Sequence, residues 1–279
     1  MSNEFTLSAS ESWTIPSANG EAGLRINLAL PPRGKNEPVP TLVVLDGDFM
    51  FLTAVEFART LNLVTLGDFP PVTVVGVMRD ESDPLRYLTS RFRDFTPQEW
   101  RLTGPFDADN PMASMGTGGA PQFLDSLEQL VMPQVASRLN ATGSELGEVA
   151  ICGWSLSGLF ASWAWLERPD LFPHLLAITP SLWWHHASIL ERPFGARPAT
   201  QRVFVCAGEH EEGDVALVYP QRFANDAQRK MAAMVRNAER FGALASAAGA
   251  STLALTFPDE HHVTVQTPAI SRGLRHIFG

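Results

Sequence analysis

Short apolar runs with the composition of buried β-strands recur along this chain, and stretches with helical spacing of apolar residues separate them. The strand-like runs cover residues 24–30, 41–45, 72–77, 149–152, 175–179, 202–207 and 252–257. Strands that alternate with helices form βαβ units, in which helices cover both faces of a parallel sheet. We therefore predict an α/β fold, a three-layer sandwich with a mostly parallel central sheet.

The intervening segments predict helices and one irregular insertion. Helix-like stretches cover residues 54–63, 121–139, 159–166, 231–244 and 268–278. Pro133 is expected to kink the second of them, because proline removes a backbone donor and clashes with the preceding turn. Residues 79–119 are rich in Arg, Asp, Pro and Gly, and we predict an irregular insertion that lines the functional site. The 279 residues fit one domain with this insertion.

The composition excludes several classes of protein. Hydrophobic residues make up 45% of the chain and charged residues 18%, unlike a disordered protein. The formal net charge of −9 argues against nucleic acid or an anionic membrane as partner, because both require a concentrated basic surface. No apolar run approaches the roughly 18 residues that span a bilayer. No signal peptide is visible, so we expect a cytoplasmic protein, or a periplasmic one if a leader was trimmed.

Ser155 lies between a strand-like run and a helix-like stretch, in the segment 153–158 (GWSLSG). A serine on a sharp strand-to-helix turn holds its hydroxyl beside the N-terminal amides of the following helix. Those amides stabilise a tetrahedral intermediate, so the position suits a nucleophile. The usual G-x-S-x-G pattern has glycine where this chain has Ser157, and Gly158 follows. The segment alone is equally typical of a turn that caps a helix.

A serine nucleophile needs a base and an orienting carboxylate, which follow it in this type of fold in the order acid, histidine. His261 and His262 follow the last strand-like run, and either suits the role of base. The loop after run 202–207 holds the candidate acids. Glu211 is our first choice, followed by Glu209 and Asp214. A serine–histidine dyad without a fixed acid is the alternative.

Two backbone segments are expected to bind the oxyanion of the reaction. One donor is the N–H of Leu156, directly after the nucleophile, and the second comes from Gly47 or Asp48, after an early strand. The turn 46–48 (DGD) is also typical of a metal site, but the sequence has no complementary cluster of ligands with metal spacing. We therefore expect no metal and no organic cofactor.

Aromatic and basic residues are candidates for substrate binding, and each has a structural alternative. Two adjacent tryptophans follow a strand-like run, and they either wall the site or pack in the core. Arg86, Arg91 and Arg93 suit an anionic substrate. The alternative is that Arg93 pairs with Asp94 and stiffens its loop. The predicted substrate-binding residues are Trp154, Trp183, Trp184 and Arg93.

Six segments follow one another in an order that is typical of one family. They are 43–51 (VVLDGDFMF), 93–97 (RDFTP), 118–123 (GGAPQF), 153–158 (GWSLSG), 179–184 (TPSLWW) and 271–274 (SRGL). Together they resemble the putative-esterase (esterase D-like) family of α/β-hydrolases, in particular its ferric-siderophore esterase branch. The resemblance implies an α/β-hydrolase fold and hydrolysis of carboxylic esters, which in some relatives are the ester bonds of catecholate siderophore lactones.

The resemblance also assigns the base and shows three departures. Alignment of the last loop with the family pattern G-E-x-H-G-S-V places the base at His262. Trp154, Ser157 and Val263 stand where the family commonly has histidine, glycine and glycine. We expect a serine esterase whose partner is a small-molecule ester. The alternatives are acyl transfer to an alcohol or thiol, and a catalytically silent binding protein on the same scaffold.

Overall fold

The computed structural model describes residues 7–17, 22–31, 38–101, 115–212 and 233–279. The strands are β1 Ser10–Ile15, β2 Leu24–Ala29, β3 Pro38–Leu45, β4 Thr73–Arg79, β5 Glu145–Trp154, β6 His174–Ile178, β7 Arg202–Gly208 and β8 Ser251–Phe257. In this part of the chain they form one sheet of eight strands, in the order β1-β2-β4-β3-β5-β6-β7-β8. The pairs β1–β2 and β2–β4 are antiparallel. The remaining pairs, β4–β3, β3–β5, β5–β6, β6–β7 and β7–β8, are parallel. The predicted α/β fold with a mostly parallel sheet is confirmed.

Helices cover both faces of the sheet. They are α1 Gly47–Val64, α2 Pro84–Asp94, α3 Ala120–Ser126, α4 Met132–Ala141, α5 Leu156–Glu167, α6 Met234–Ala247 and α7 Gln266–Phe278. Side chains alternate along a strand, so Leu42 and Val44 pack with α1 and α7. Val43 and Leu45 pack with α3 to α6 on the other face. None of these helices is long and apolar enough to cross a bilayer.

The insertion predicted as irregular contains a helix. Residues 84–94 form α2, whose N-terminus has Pro84 in its first turn and Asp83 as its cap, with Asp83 accepting a 2.9 Å hydrogen bond from the N–H of Arg86. An aspartate before a proline is a recognised start signal for a helix, and the charged composition concealed it. Residues 102–114 of the insertion lie outside the described residues.

The long helix predicted over residues 121–139 is interrupted before Pro133. Leu127–Val131 forms a π-helical turn between α3 and α4, and Met132 begins the next helix. Because proline lacks the N–H that an α-helix interior requires, the chain places it in the first turn of α4. Strand β1, with few apolar residues and an exposed face, was not predicted. Met231, the first residue of the predicted helix 231–244, lies outside the described residues.

His174, at the start of β6, is buried as a neutral imidazole. Its Nδ1 accepts a 3.0 Å hydrogen bond from the N–H of Arg202, and its Nε2 lies 3.1 Å from the Glu148 carboxylate. Burial is the largest cause that lowers the pKa of His174 from its usual 6.5, assisted by the charges of Arg202 and His276, while Glu148 opposes the shift. A proton on Nδ1 would also turn the hydrogen bond from Arg202 into a repulsion between two donors.

Acidification is therefore expected to destabilise the fold through His174. Above pH 6.5 the ring is neutral in both the folded and the unfolded chain. Below that value the unfolded chain binds a proton that the folded chain does not, so the free energy of unfolding falls as pH falls. We expect His174→Asn, whose oxygen replaces Nδ1 as acceptor, to flatten this decline. Urea denaturation of both proteins between pH 7.5 and about 5 measures it, and parallel curves would contradict the prediction.

Candidate active site

Ser155 occupies a strained turn between β5 and α5. Its φ of 59° and ψ of −118° are uncommon for a residue with a side chain, and strain of this kind persists only where the surroundings enforce it. Its N–H donates to the carbonyl of Ile178 at 3.1 Å, and its own carbonyl accepts from the N–H of Ser181 at 2.9 Å. Contacts with β6 and the loop after it therefore hold the elbow in this conformation.

Two glycines make room for the elbow. A Cβ atom at Gly153 would lie 2.1 Å from the carbonyl oxygen of Ser157. A Cβ atom at Gly158 would lie 3.0 Å from the Cα of Pro180. Position 157 does not require glycine, because the Ser157 side chain points to the carboxylate of Asp46, 2.6 Å from its Oγ. The departure from the usual pattern is thus accommodated without loosening the turn.

Glu211 and His262 form a hydrogen-bonded pair beside the elbow. The Oε2 of Glu211 lies 2.7 Å from the Nδ1 of His262, and the glutamate side chain is only 3% exposed. The Oε1 of the same carboxylate accepts from the N–H of Gly208 at 2.7 Å, and the hydroxyl of Thr179 donates to Oε2. Because Nδ1 faces the carboxylate, Nε2 points to the opposite side of the ring, where it can exchange a proton with another group.

The loops that carry these two residues are bonded to each other. A Cβ atom at Gly208, the last residue of β7, would lie 2.4 Å from the carbonyl oxygen of Glu260, so glycine permits the close approach. His210 donates its N–H to that same carbonyl at 3.0 Å. Glu209, a competing candidate acid, accepts from the N–H of Asp259 at 2.9 Å. These contacts fix the loop of Glu211 against the loop of His262.

The remaining candidates for base and acid lie elsewhere. His261 points to Thr264, whose Oγ1 is 3.3 Å from its Nδ1. Asp214 lies outside the described residues. Within the described residues, the structure therefore places Glu211 and His262 together, and it directs Glu209 and His261 to backbone and hydroxyl groups nearby.

Trp154 connects the elbow to the loop of the histidine. Its indole Nε1–H donates to the carbonyl of His262 at 2.7 Å. Its ring centroid also lies 5.0 Å from that of the His262 imidazole, at an interplanar angle of 40°. Since Trp154 directly precedes Ser155, these two contacts place the imidazole next to the turn that carries Ser155. The sequence predicted Trp154 only as a substrate-binding residue.

The expected oxyanion donors lie at two helix N-termini. Leu156 is the first residue of α5, and Gly47 and Asp48 are the first residues of α1. N–H groups in the first turn of a helix have no intrahelical acceptor, and the helix dipole there favours negative charge. The strands that precede these helices, β3 and β5, are neighbours in the sheet. The two N-termini therefore lie side by side at the carboxyl edge of the sheet.

Asp46, at the N-cap of α1, is committed to an arginine. Its carboxylate is 1% exposed and receives two hydrogen bonds from Arg91, Nε to Oδ1 and Nη2 to Oδ2, each of 2.7 Å. The side chain of Asp48 pairs with Arg25. No group of three metal-ligating side chains occurs in the part of the chain that the structure describes. The turn 46–48 is thus built around ion pairs.

The other predicted substrate residues differ in their surroundings. Trp184 is 2% exposed and packs edge-on against Phe92 and Trp100, so it belongs to the core beneath the site. Trp183 is half-buried, with its ring 5.9 Å from that of Trp184. The core alternative considered from sequence therefore describes Trp184 better than Trp183.

The arginines predicted to suit an anionic substrate are all paired with carboxylates of the chain itself. Arg93 Nε lies 2.8 Å from Asp94 Oδ1, and Arg86 Nε lies 3.3 Å from Glu81 Oε2. Arg91 binds Asp46, as described above. The structure therefore gives Arg93 the stiffening contact that was considered as its alternative role.

Several residues at the site were not predicted from sequence. Ser181 Oγ lies 3.4 Å from Ser155 Oγ, and Thr179, with a φ of 37°, contacts both Glu211 and His262. The segment 179–184 (TPSLWW) contained both and was the available signal. Phe49, which is 50% exposed, packs edge-on against Tyr87 and Trp154. We call Phe49, Tyr87 and Trp154 the aromatic row; its member Trp154 is the residue that contacts the His262 imidazole.

Comparisons with known proteins place the sequence in a family. A family model described as "Putative esterase" matches residues 17–243. The siderophore triacetylfusarinine C esterase of Aspergillus fumigatus is 28% identical over 260 residues, 86% of this chain and 82% of that protein. The ferri-bacillibactin esterase BesA of Bacillus subtilis is 26% identical over 98% of this chain and 91% of its own length.

Solved structures show the same fold. The siderophore hydrolase EstA from Aspergillus nidulans superposes with a TM-score of 0.79 at 24% identity, with 98% of each chain covered. The α/β-hydrolase fold and the resemblance to siderophore esterases are thereby confirmed. Since the family match spans most of its length, the chain belongs to this esterase family and is a carboxylic ester hydrolase.

Proposed function

We propose that the chain hydrolyses carboxylic esters through an acyl-enzyme on Ser155, with His262 as base and Glu211 as its orienting acid. The observation that carries the proposal is the series of contacts from Glu211 to His262 and from His262 to the elbow through Trp154. A strained serine, a neighbouring imidazole and a buried carboxylate on that imidazole make up the arrangement that activates a serine hydroxyl.

The reaction proceeds in two steps of the same kind. Ser155 Oγ adds to the ester carbonyl carbon while its proton passes to Nε2 of His262. The tetrahedral intermediate then expels the alcohol, whose oxygen takes that proton, and the acyl group remains on Ser155. Water repeats the addition with His262 as base, and the carboxylic acid leaves as Ser155 regains its proton.

The oxyanion of each intermediate is bound by backbone N–H groups. We assign one to Leu156 and the other to the Gly47–Asp48 segment, because both are first-turn residues of helices on neighbouring strands. Charge that develops on the carbonyl oxygen is stabilised by these fixed donors and by the two helix dipoles. No cofactor takes part in these steps.

The names of the relatives suggest the class of ester. Two of them are esterases of siderophores, and we propose siderophore esters as the substrate class of this chain as well. Trp154 and Trp183, the less buried of the predicted tryptophans, are the proposed contacts for the part of the substrate next to the ester. The aromatic row supplies edges and faces on which an aryl or alkyl group can pack.

A fluorophosphonate probe tests the nucleophile and the function together. We expect a single covalent adduct on Ser155 in the folded protein, located by peptide mass spectrometry, and none after denaturation. Hydrolysis of short acyl, feruloyl and siderophore esters then identifies the substrate, and added acceptor alcohols reveal any acyl transfer. Folded protein that neither forms the adduct nor cleaves an ester of the panel would refute the proposal.

A further inference from the structure

Ser157 stands where the elbow pattern has glycine, and its hydroxyl is fully buried in a polar contact. Its Oγ lies 2.6 Å from Asp46 Oδ2, and it accepts from the N–H of Trp154 at 2.9 Å. A hydroxyl has a single proton, and the neutral alternative acceptor, the carbonyl of Trp154, is at 2.8 Å. The shorter contact to a charged acceptor is the stronger one, so the Ser157 hydroxyl donates its hydrogen bond to the Asp46 carboxylate.

This hydrogen bond joins the two segments that carry the proposed oxyanion donors. Ser157 directly follows Leu156, and Asp46 directly precedes Gly47. Each partner is thus the immediate neighbour of a donor, Ser157 within α5 and Asp46 at the N-cap of α1. This contact therefore links the N-terminus of α5 directly to the N-terminus of α1, in addition to the pairing of the strands β3 and β5 that precede them.

Asp46 is itself held in place by Arg91. Its backbone has φ 51° and ψ 46°, in the left-handed region, and its carboxylate sits in the two-pronged hydrogen bond of Arg91. The Arg91 guanidinium lies 6.0 Å from the ring centroid of Phe49 and 5.8 Å from that of Phe95. Charged pairs of this geometry, when shielded from water, are directional and rigid.

We propose that Ser157 is a positioning residue, which through Asp46 and Arg91 fixes the two oxyanion donor segments relative to each other. This inference rests on the proposed function, because it requires that Leu156 and the Gly47–Asp48 segment bind the oxyanion of an ester. Donors must already lie at hydrogen-bonding distance from the developing charge, and a displacement of about 1 Å lowers the rate by as much as about 100-fold. We call the hydrogen bond from Ser157 to Asp46, together with the ion pair of Asp46 with Arg91, the clamp. Loss of the clamp raises the free energy of the transition state far more than that of the bound ester.

The test compares Ser157→Ala with Ser162→Ala. Ser162 is a matched control, since it is a fully buried serine of the same helix whose hydroxyl donates only within α5, to Gly158 at 2.8 Å. For Ser157→Ala we expect kcat to fall about tenfold with KM unchanged, and for Ser162→Ala we expect wild-type kcat and KM. Equal kcat values in the two variants would overturn the proposal.

A second measurement separates failure of the clamp from failure of the proposed function. Hydrogen–deuterium exchange at residues 49–53 reports on the first turns of α1 and requires no turnover. We expect faster exchange there in Ser157→Ala than in Ser162→Ala. If the wild-type chain cleaves no ester, the proposed function fails, while unchanged exchange in Ser157→Ala overturns the clamp itself. Ser157→Gly, which carries the residue of the family pattern, replaces Ser157→Ala if the latter does not fold.

Discussion

Replacing Ser155 by alanine is expected to lower kcat for ester hydrolysis by about 10⁴-fold or more. The change removes the only atom that forms the acyl-enzyme in the proposed mechanism, and the remaining rate comes from oxyanion binding and substrate positioning. Alanine retains the Cβ atom that the turn already accommodates, so the melting temperature should change little. Steady-state kinetics on the best ester of the panel, with thermal melts alongside, measures both effects.

Ser181→Ala is the matched control for that experiment. Ser181 is 3% exposed and its Oγ lies 3.4 Å from Ser155 Oγ, so it shares the environment of the proposed nucleophile without its backbone geometry. We expect a loss of less than about tenfold, because only one neutral hydrogen bond is removed. If Ser181→Ala abolished hydrolysis while Ser155→Ala preserved it, the nucleophile would be Ser181 and the proposed mechanism would be wrong.

The sheet was predictable because its central strands are buried on both faces. The run 149–152 is apolar at every position, and such runs separated by helical spacing leave few architectures other than a parallel sheet with helices on both sides. The elbow was also predictable, because its tight turn leaves no room for a side chain at Gly153, where a Cβ atom would lie 2.1 Å from the carbonyl oxygen of Ser157. Local composition thus carried most of the information about the fold.

The contacts between distant segments were not predictable in the same way. The partnership of Ser157 with Asp46 joins residues 111 positions apart, and a serine in place of glycine gives no sign of its partner. The helix α2 was missed because its buried face includes Arg91 and Asp94, whose burial depends on ion pairs with other elements. Charged residues in a core become interpretable only when their counter-ions are known.

Replacing Glu211 by glutamine is expected to lower kcat by about 10³-fold, through the tautomer of His262. In the native protein one carboxylate oxygen accepts from the N–H of Gly208 and the other faces His262 Nδ1. A glutamine that keeps the first contact must present its NH₂ group to Nδ1. The ring then carries its proton on Nε2, where it cannot accept the proton of the serine.

The size of this loss depends on the substituent in a way that tests the mechanism. Glu211→Ala also removes the negative charge but imposes no tautomer, so we expect it to retain more activity than Glu211→Gln. Glu209→Gln is the matched control: Glu209 accepts a hydrogen bond from the N–H of Asp259, which the amide oxygen of glutamine also accepts, and we expect near wild-type kcat. Full activity in both Glu211 variants would instead show that Ser155 and His262 act as a dyad, because the carboxylate would then contribute nothing to the base. A loss confined to Glu209→Gln would instead identify Glu209 as the acid.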